Sequence, residues 1–135
     1  MAKALGTDDS ITTCDCCGRS NLKFTVTMEL DDGQIVHYGQ VCAGRNTGKS
    51  RPQITSEIKA ARAAAVKAAR AEYMDSPEYA AERARFAERS ALPFNDPRRM
   101  GLNAADFVRE ASDAADAVCA RIAARHGLSH WEVRA

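Results

Sequence analysis

The sequence predicts an α+β fold, with a β-hairpin unit at the N-terminus followed by a small three-helix bundle. Three observations carry that prediction. Cys14-Asp15-Cys16-Cys17-Gly18 and Cys42 place four of the five cysteines in the first third of the chain. Between them, Leu22, Phe24, Val26, Met28 and Leu30 alternate with Lys23, Thr25, Thr27 and Glu29, the two-residue period of a half-buried strand. Past residue 51 the chain becomes rich in alanine, with long stretches free of glycine and proline, which favours helix.

The totals restrict the rest. A chain of 135 residues holds one domain, or one small module with a helical extension. Nineteen Lys and Arg against eighteen Asp and Glu leave a net charge of +1, so bulk charge demands neither nucleic acid nor membrane. Any positive surface is local, and residues 51–92, with eight basic and six acidic side chains, are where it is expected. No apolar run reaches the length of a membrane span, and residues 1–11 lack the basic-then-apolar form of a signal peptide. Clustered cysteines in such a chain read as reduced thiolates on a metal. A cytoplasmic protein with no membrane partner is expected.

Residues 1–12 are polar and aperiodic and read as a flexible leader. Residues 13–50 form the hairpin unit. Asp32-Gly33 has the composition of a two-residue type I′ turn, which needs positive φ at both central positions. That turn sets Leu30 opposite Ile35, Met28 opposite His37, Val26 opposite Gly39 and Phe24 opposite Val41. One face of the hairpin is then apolar, with His37 in its midst.

A Cys-x-x-Cys-Gly knuckle, a hairpin and a further cysteine come in the order of a treble-clef or zinc-ribbon module. Cys14 and Cys17 supply two thiolates and Cys42 a third, a donor set suited to Zn²⁺. A lone hairpin buries too little apolar surface to be stable, whereas structural zinc contributes about 10–16 kcal/mol of apparent binding energy. His37 is the candidate fourth ligand, in a Cys-x2-Cys…His-x4-Cys series. Cys16 or water are the alternatives, as is His37 serving only as a cross-strand residue. In extended chain His37 and Cys42 stand roughly 16 Å apart, so the backbone must curl between them, and Gly39 is where a bulge is expected.

These residues carry a resemblance. Cys14-Asp15-Cys16-Cys17-Gly18-Arg19-Ser20-Asn21-Leu22-Lys23, then Thr25-Val26, His37-Tyr38-Gly39 and Cys42-Ala43-Gly44-Arg45 resemble small zinc-binding modules of actinobacterial and actinophage proteins of unknown function. The resemblance covers residues 14–50. It implies that Cys14, Cys17 and Cys42 are ligands and leaves the fourth position open. The Ala- and Arg-rich composition is in keeping with such a source, a bacterial or phage-infected cell.

Ala43-Gly44-Arg45-Asn46-Thr47-Gly48-Lys49-Ser50 satisfies a relaxed phosphate-loop pattern. That loop requires a buried parallel strand before it and an acidic strand end downstream, and neither is legible. It reads as a short turn, with Ser50 and Gln53 as a capping box for the next helix.

Residues 51–135 read as the helical region. In the first helix Ile54, Ile58, Ala61, Ala65, Ala68 and Ala69 share one face. Lys59, Arg62, Lys67 and Arg70 gather on the other, with no acid between Glu57 and Glu72. Ser76-Pro77-Glu78 is a cap and start for a second helix, with Tyr79 and Phe86 as packing residues. Asn103 is expected to cap the third, whose Phe107, Ala111, Ala114, Ala115, Val118 and Ile122 line one face. Asp106, Asp113 and Asp116 lie opposite and are candidates to pair with the basic helix. Cys119 reads as a core residue, and Gly127 with Leu128 as the helix stop. Ile122 to Val133 has the offsets of a helix-turn-helix centre, but too little chain follows for a reading helix. Trp131 is expected to pack this tail onto the main helix.

No convergent nucleophile, base and oxyanion set is legible, so no enzyme activity and no small-molecule substrate are expected. The favoured reading is a structural-zinc module that contacts nucleic acid through Lys59, Arg62, Lys67 and Arg70. The alternative is a factor docking a host protein through its helices and hairpin.

Overall fold

The computed structural model describes residues 2–99 and 101–134, with the side chains of 101–103 outside the description. The chain is α+β and divides into two compact units, 1–64 and 65–135.

The first unit is built on an antiparallel sheet of order β1-β2-β3, from strands Lys3–Asp8, Thr25–Glu29 and Ile35–Tyr38. Two expectations change here. The leader is not loose, because Lys3–Asp8 adds a strand along β2. A register shift between Ala4 and Gly6 breaks the alternation in this segment, which is why the sequence shows no strand period. The hairpin register also slips by one residue. Gly33 N–H donates to Leu30 O and Leu30 N–H to Gln34 O, each at 2.9 Å, so the loop holds three residues, 31–33. Within it Gly33 alone takes positive φ, at 83°, whereas a type I′ turn would require it of Asp32 as well. Val26 therefore faces Tyr38, Thr27 faces His37 and Met28 faces Val36. A one-residue slip exchanges the two faces of a strand. Val36 joins the buried cluster of Ala4, Val26, Met28, Ala43 and Ile54, and His37 leaves the apolar face.

Among the described residues there are five α-helices where three are expected. The first additional one is α1, Gln40–Thr47, which replaces the anticipated turn and stops at Gly48 in the left-handed region. α2 follows at Arg51–Met74. Its capping box forms: Ser50 N–H donates to Gln53 Oε1 at 2.7 Å and Gln53 N–H to Ser50 Oγ at 3.4 Å. Glu57 in its second turn accepts from Ala4 N–H at 3.0 Å and pairs with Lys49. These bonds, with Ile54 in the sheet's core, tie the start of α2 to the first unit. The boundary between units accordingly falls inside α2 rather than before it.

The second unit contains the end of α2, then α3 (Pro77–Ala91), a 3-10 turn (Pro97–Arg99), α4 (Gly101–Arg125) and the second additional helix, α5 (His130–Arg134). Ser76 caps α3 as expected, its Oγ accepting from Tyr79 N–H at 3.2 Å. The backbone of α4 already begins at Gly101, ahead of the anticipated cap Asn103, whose side chain lies outside the description. At the other end Leu128 N–H donates to Ala123 O and Gly127 N–H to Ala124 O, with Gly127 at φ 67°, a Schellman stop. The core joins Ala69 and Tyr73 of α2, Ala115, Val118, Cys119, Ile122 and Ala123 of α4, and Val133 of α5. Tyr79 packs its ring edge on Tyr73 at 5.1 Å. Val133 and Leu128, not Trp131, dock the tail, and Trp131 is 64 % exposed. Asp106 pairs with Arg109 and Asp116 with Arg134, so neither is given to the cations of α2.

Candidate metal centre

The first unit brings three of the four expected ligands together. The Sγ atoms of Cys14, Cys17 and Cys42 lie within 4.8 Å of one another. A tetrahedral ion with metal–sulfur bonds of about 2.3 Å spaces its sulfurs roughly 3.8 Å apart, so small rotamer changes are enough to complete such a site. The cluster could hold a metal ion.

Local backbone rules build the cluster. Residues 14–19 close as a knuckle: Gly18 N–H donates to Cys14 O and Cys14 N–H to Arg19 O, each at 2.9 Å. Gly18 turns the chain at φ 73°, a conformation glycine adopts without steric cost. Asp15 then clasps the knuckle to β3. Its N–H donates to His37 O at 2.8 Å, and its Oδ2 accepts from His37 N–H at 2.7 Å. On the other side β3 ends at Tyr38 and α1 starts at Gln40, so the chain turns at once into a helix that carries Cys42 in its first turn. Gly39 caps α1 with extended backbone rather than forming a bulge. A Cβ there would meet Leu22 Cδ1 at 3.3 Å and Cys14 Sγ at 3.9 Å, so a side chain at this position would crowd the wall of the site.

The thiols differ in proton affinity. Burial pushes Cys14 up, but backbone N–H groups of Gly39, Cys17 and Cys16 and the Cys17 thiol outweigh it, bringing Cys14 down to about 7. Cys42 is pushed up to about 12, first by its hydrogen bond with Cys17, then by burial and by the neighbouring Cys14 and Cys16. Of the two, Cys14 is thus the readier to give up its proton and Cys42 the more reluctant. Such N–H···S bonding is what a metal thiolate also requires, and a divalent ion would displace the remaining protons.

His37 is not brought to the cluster. Opposite Thr27, its Nδ1 lies 3.4 Å from Thr27 Oγ1, and its part in the site is the backbone clasp to Asp15. Cys16 stands on the knuckle beside α1, where Asn46 Nδ2 donates to its Sγ at 3.4 Å and to Cys42 O at 2.8 Å. Asp15, Gly39 and Asn46 are the supporting residues that sequence reasoning misses. A helix-length segment closed by Gly48 was the available signal for α1, and it was masked by the phosphate-loop pattern. Lys49 of that pattern is engaged with Ala2 O at 3.0 Å and with Glu57. Of the expected nucleic-acid residues, Lys59, Arg62 and Lys67 are exposed. Arg70 is half-buried and spends its Nε on Glu132 O at 2.9 Å.

No helix among the described residues is long and apolar enough to cross a membrane. No protein-family model, curated protein or solved structure matches this chain.

Proposed function

We propose that the chain is a zinc-stabilised, non-enzymatic binding module whose partner is nucleic acid. The observation that supports it is the cluster of Cys14, Cys17 and Cys42, which ties two elements distant in sequence, the knuckle and α1. Three soft thiolates gathered within 4.8 Å of one another favour zinc, and a structural site explains why the cysteines join separate segments. Cys16 or a water completes the coordination. The ion supplies a crosslink to a unit whose knuckle buries Cys14 alone. Free thiols kept for a metal belong in a reducing compartment, the cytoplasm. Docking of a host protein is the weaker reading, because the exposed large apolar side chains Ile35, Val41, Met74, Phe94 and Trp131 come from five different segments rather than one stripe.

The test is metal content of protein purified without chelator. Near one zinc per chain, lost in Cys42→Ser and kept in His37→Ala, is the expected result. Metal-free wild type, folded and with reactive thiols, would overturn the reading.

A further inference from the structure

The three cysteines form one wall of a cleft of about 550 Å³, within the range of sites that enclose small ligands. Its lining includes Arg19, Lys23, Arg45 and Arg51, one closing the knuckle, one leading into β2, one on α1 and one opening α2. All four are exposed. Among the described residues none makes an ion pair or a side-chain hydrogen bond, and no carboxylate lines the cleft. Three acids of this unit are engaged elsewhere: Asp8 with Ser10, Asp15 with His37 and Glu57 with Lys49. Three thiolates on a divalent ion leave one negative charge against these four positive ones. α1 also begins at this cleft, with no side chain capping its N-terminus, which adds partial positive charge.

Apolar side chains line the cleft as well: Leu22, Phe24, which is half-buried against the sheet core, and Val41 at 58 % exposure, and together they can serve as its floor. A second cavity of about 180 Å³ shares Phe24, Gln40 and Arg51 and continues over Val26, Ile54 and Ile58. Four unpartnered cations around an aromatic and aliphatic floor match a ligand with a charged backbone and flat apolar faces.

We infer that this cleft, rather than the exposed face of α2, binds single-stranded nucleic acid. Arg19, Lys23, Arg45 and Arg51 take the phosphates, Phe24 takes a base, and the Gln40 amide stands at the junction of the two cavities to meet a base edge. Arginine forks suit phosphate oxygens better than a point charge does. A stacking floor favours bases over an acidic peptide without aromatic side chains, which has no ring to place there. It also distinguishes single strand from duplex, whose bases stack on each other and leave such a floor idle. The inference deepens the proposed function and depends on the metal reading only for the wall that the cysteines form.

The experiment is fluorescence anisotropy with a labelled oligothymidylate of roughly 15 nucleotides and a duplex of the same length, with zinc content measured for every protein. Wild type is expected to bind the single strand more tightly, with affinity falling steeply as salt rises. Arg45→Ala/Arg51→Ala should lose about tenfold or more and lower the log–log salt slope by about 0.7 per contact removed. Phe24→Leu should weaken the single strand by roughly tenfold and leave the duplex unchanged. Lys59→Ala/Lys67→Ala is the control and should bind as wild type. Loss in that control with retention in Arg45→Ala/Arg51→Ala would overturn the cleft and keep nucleic acid as partner. No binding by zinc-loaded wild type would overturn both, and duplex bound as tightly as single strand would overturn the stacking floor. Binding retained by folded, zinc-free protein would leave the cleft standing and remove the metal reading.

Discussion

The two units of this chain solve the same problem by different means. In residues 65–135, α4 presents an alanine-rich face to Tyr73 and Val133, and eight buried residues form one cluster. Helix ends there are closed by side chains and glycine, at Ser76 and Gly127. In residues 1–64 the strands are four to six residues long, and the knuckle contributes no buried aliphatic residue. Hydrophobic burial, with these caps and ion pairs such as that of Arg134 with Glu82, holds the second unit. The first places thiols where burial runs short. A metal ion in the cluster would therefore decide the fate of one unit and leave the other nearly untouched.

Stripping the metal is the largest perturbation of that contrast. Chelation, or Cys42→Ser, should release close to one zinc per chain and remove about 10–16 kcal/mol of apparent binding energy. Hydrogen-exchange protection should vanish from β2, β3 and α1 while α3 and α4 keep theirs. Equal loss across both units would break the comparison. Acid should mimic chelation, because protons compete for the thiolates, most strongly at Cys42 with its affinity pushed up to about 12.

The converse substitution is Ile122→Ala. Ile122 is 4 % exposed in the α4 core, and truncating it should cost about 2–5 kcal/mol. Thermal unfolding followed by helical circular dichroism should shift down with zinc content unchanged.

Glu57→Gln acts on a smaller scale. The carboxylate holds Lys49 and the Ala4 N–H, and these hydrogen bonds hold its pKa below the usual carboxylate value of 4.5. Its contribution is therefore present above the unfolded-state value and is lost as pH falls through the lower folded value. The variant should lose about 1 kcal/mol at neutral pH, read as weaker exchange protection of β1. That difference from wild type should close as the pH falls through the lowered folded-state value. A gap that persists in acid would assign the bond to something other than the ionised carboxylate.

His37→Ala should do least. Its ring has Thr27 Oγ1 at 3.4 Å as hydrogen-bond partner, while the clasp to Asp15 uses its backbone. Stability should change by no more than about 0.5 kcal/mol, and zinc content should stay near one per chain. Loss of zinc would mean that the strand refolds around the ion.

Much of this architecture is legible from residues close together in the chain. The knuckle, the Ser50/Gln53 box, the Ser76-Pro77 start and the Gly127 stop all depend on contacts within about five residues, which steric and hydrogen-bonding rules settle locally. The strand at Lys3–Asp8 was illegible because its bulge breaks the alternation and its partner β2 lies about twenty residues away. α1 was hidden because eight residues can read as turn or helix until packing on β2 chooses. The four cations of the cleft carry no motif, since they come from four segments.

By itself, then, the sequence determined the α+β order, the grouping of Cys14 and Cys17 with Cys42, the caps at Ser50 and Ser76 and the stop at Gly127. Tertiary structure alone decided the hairpin register, and with it the fate of His37. Asp32-Gly33 is compatible with a two- or a three-residue loop, and the difference between them is one position. Burying Val36 beside Met28 and Ala4 selects the longer loop, because a half-buried strand tolerates only the register that turns its apolar set inward.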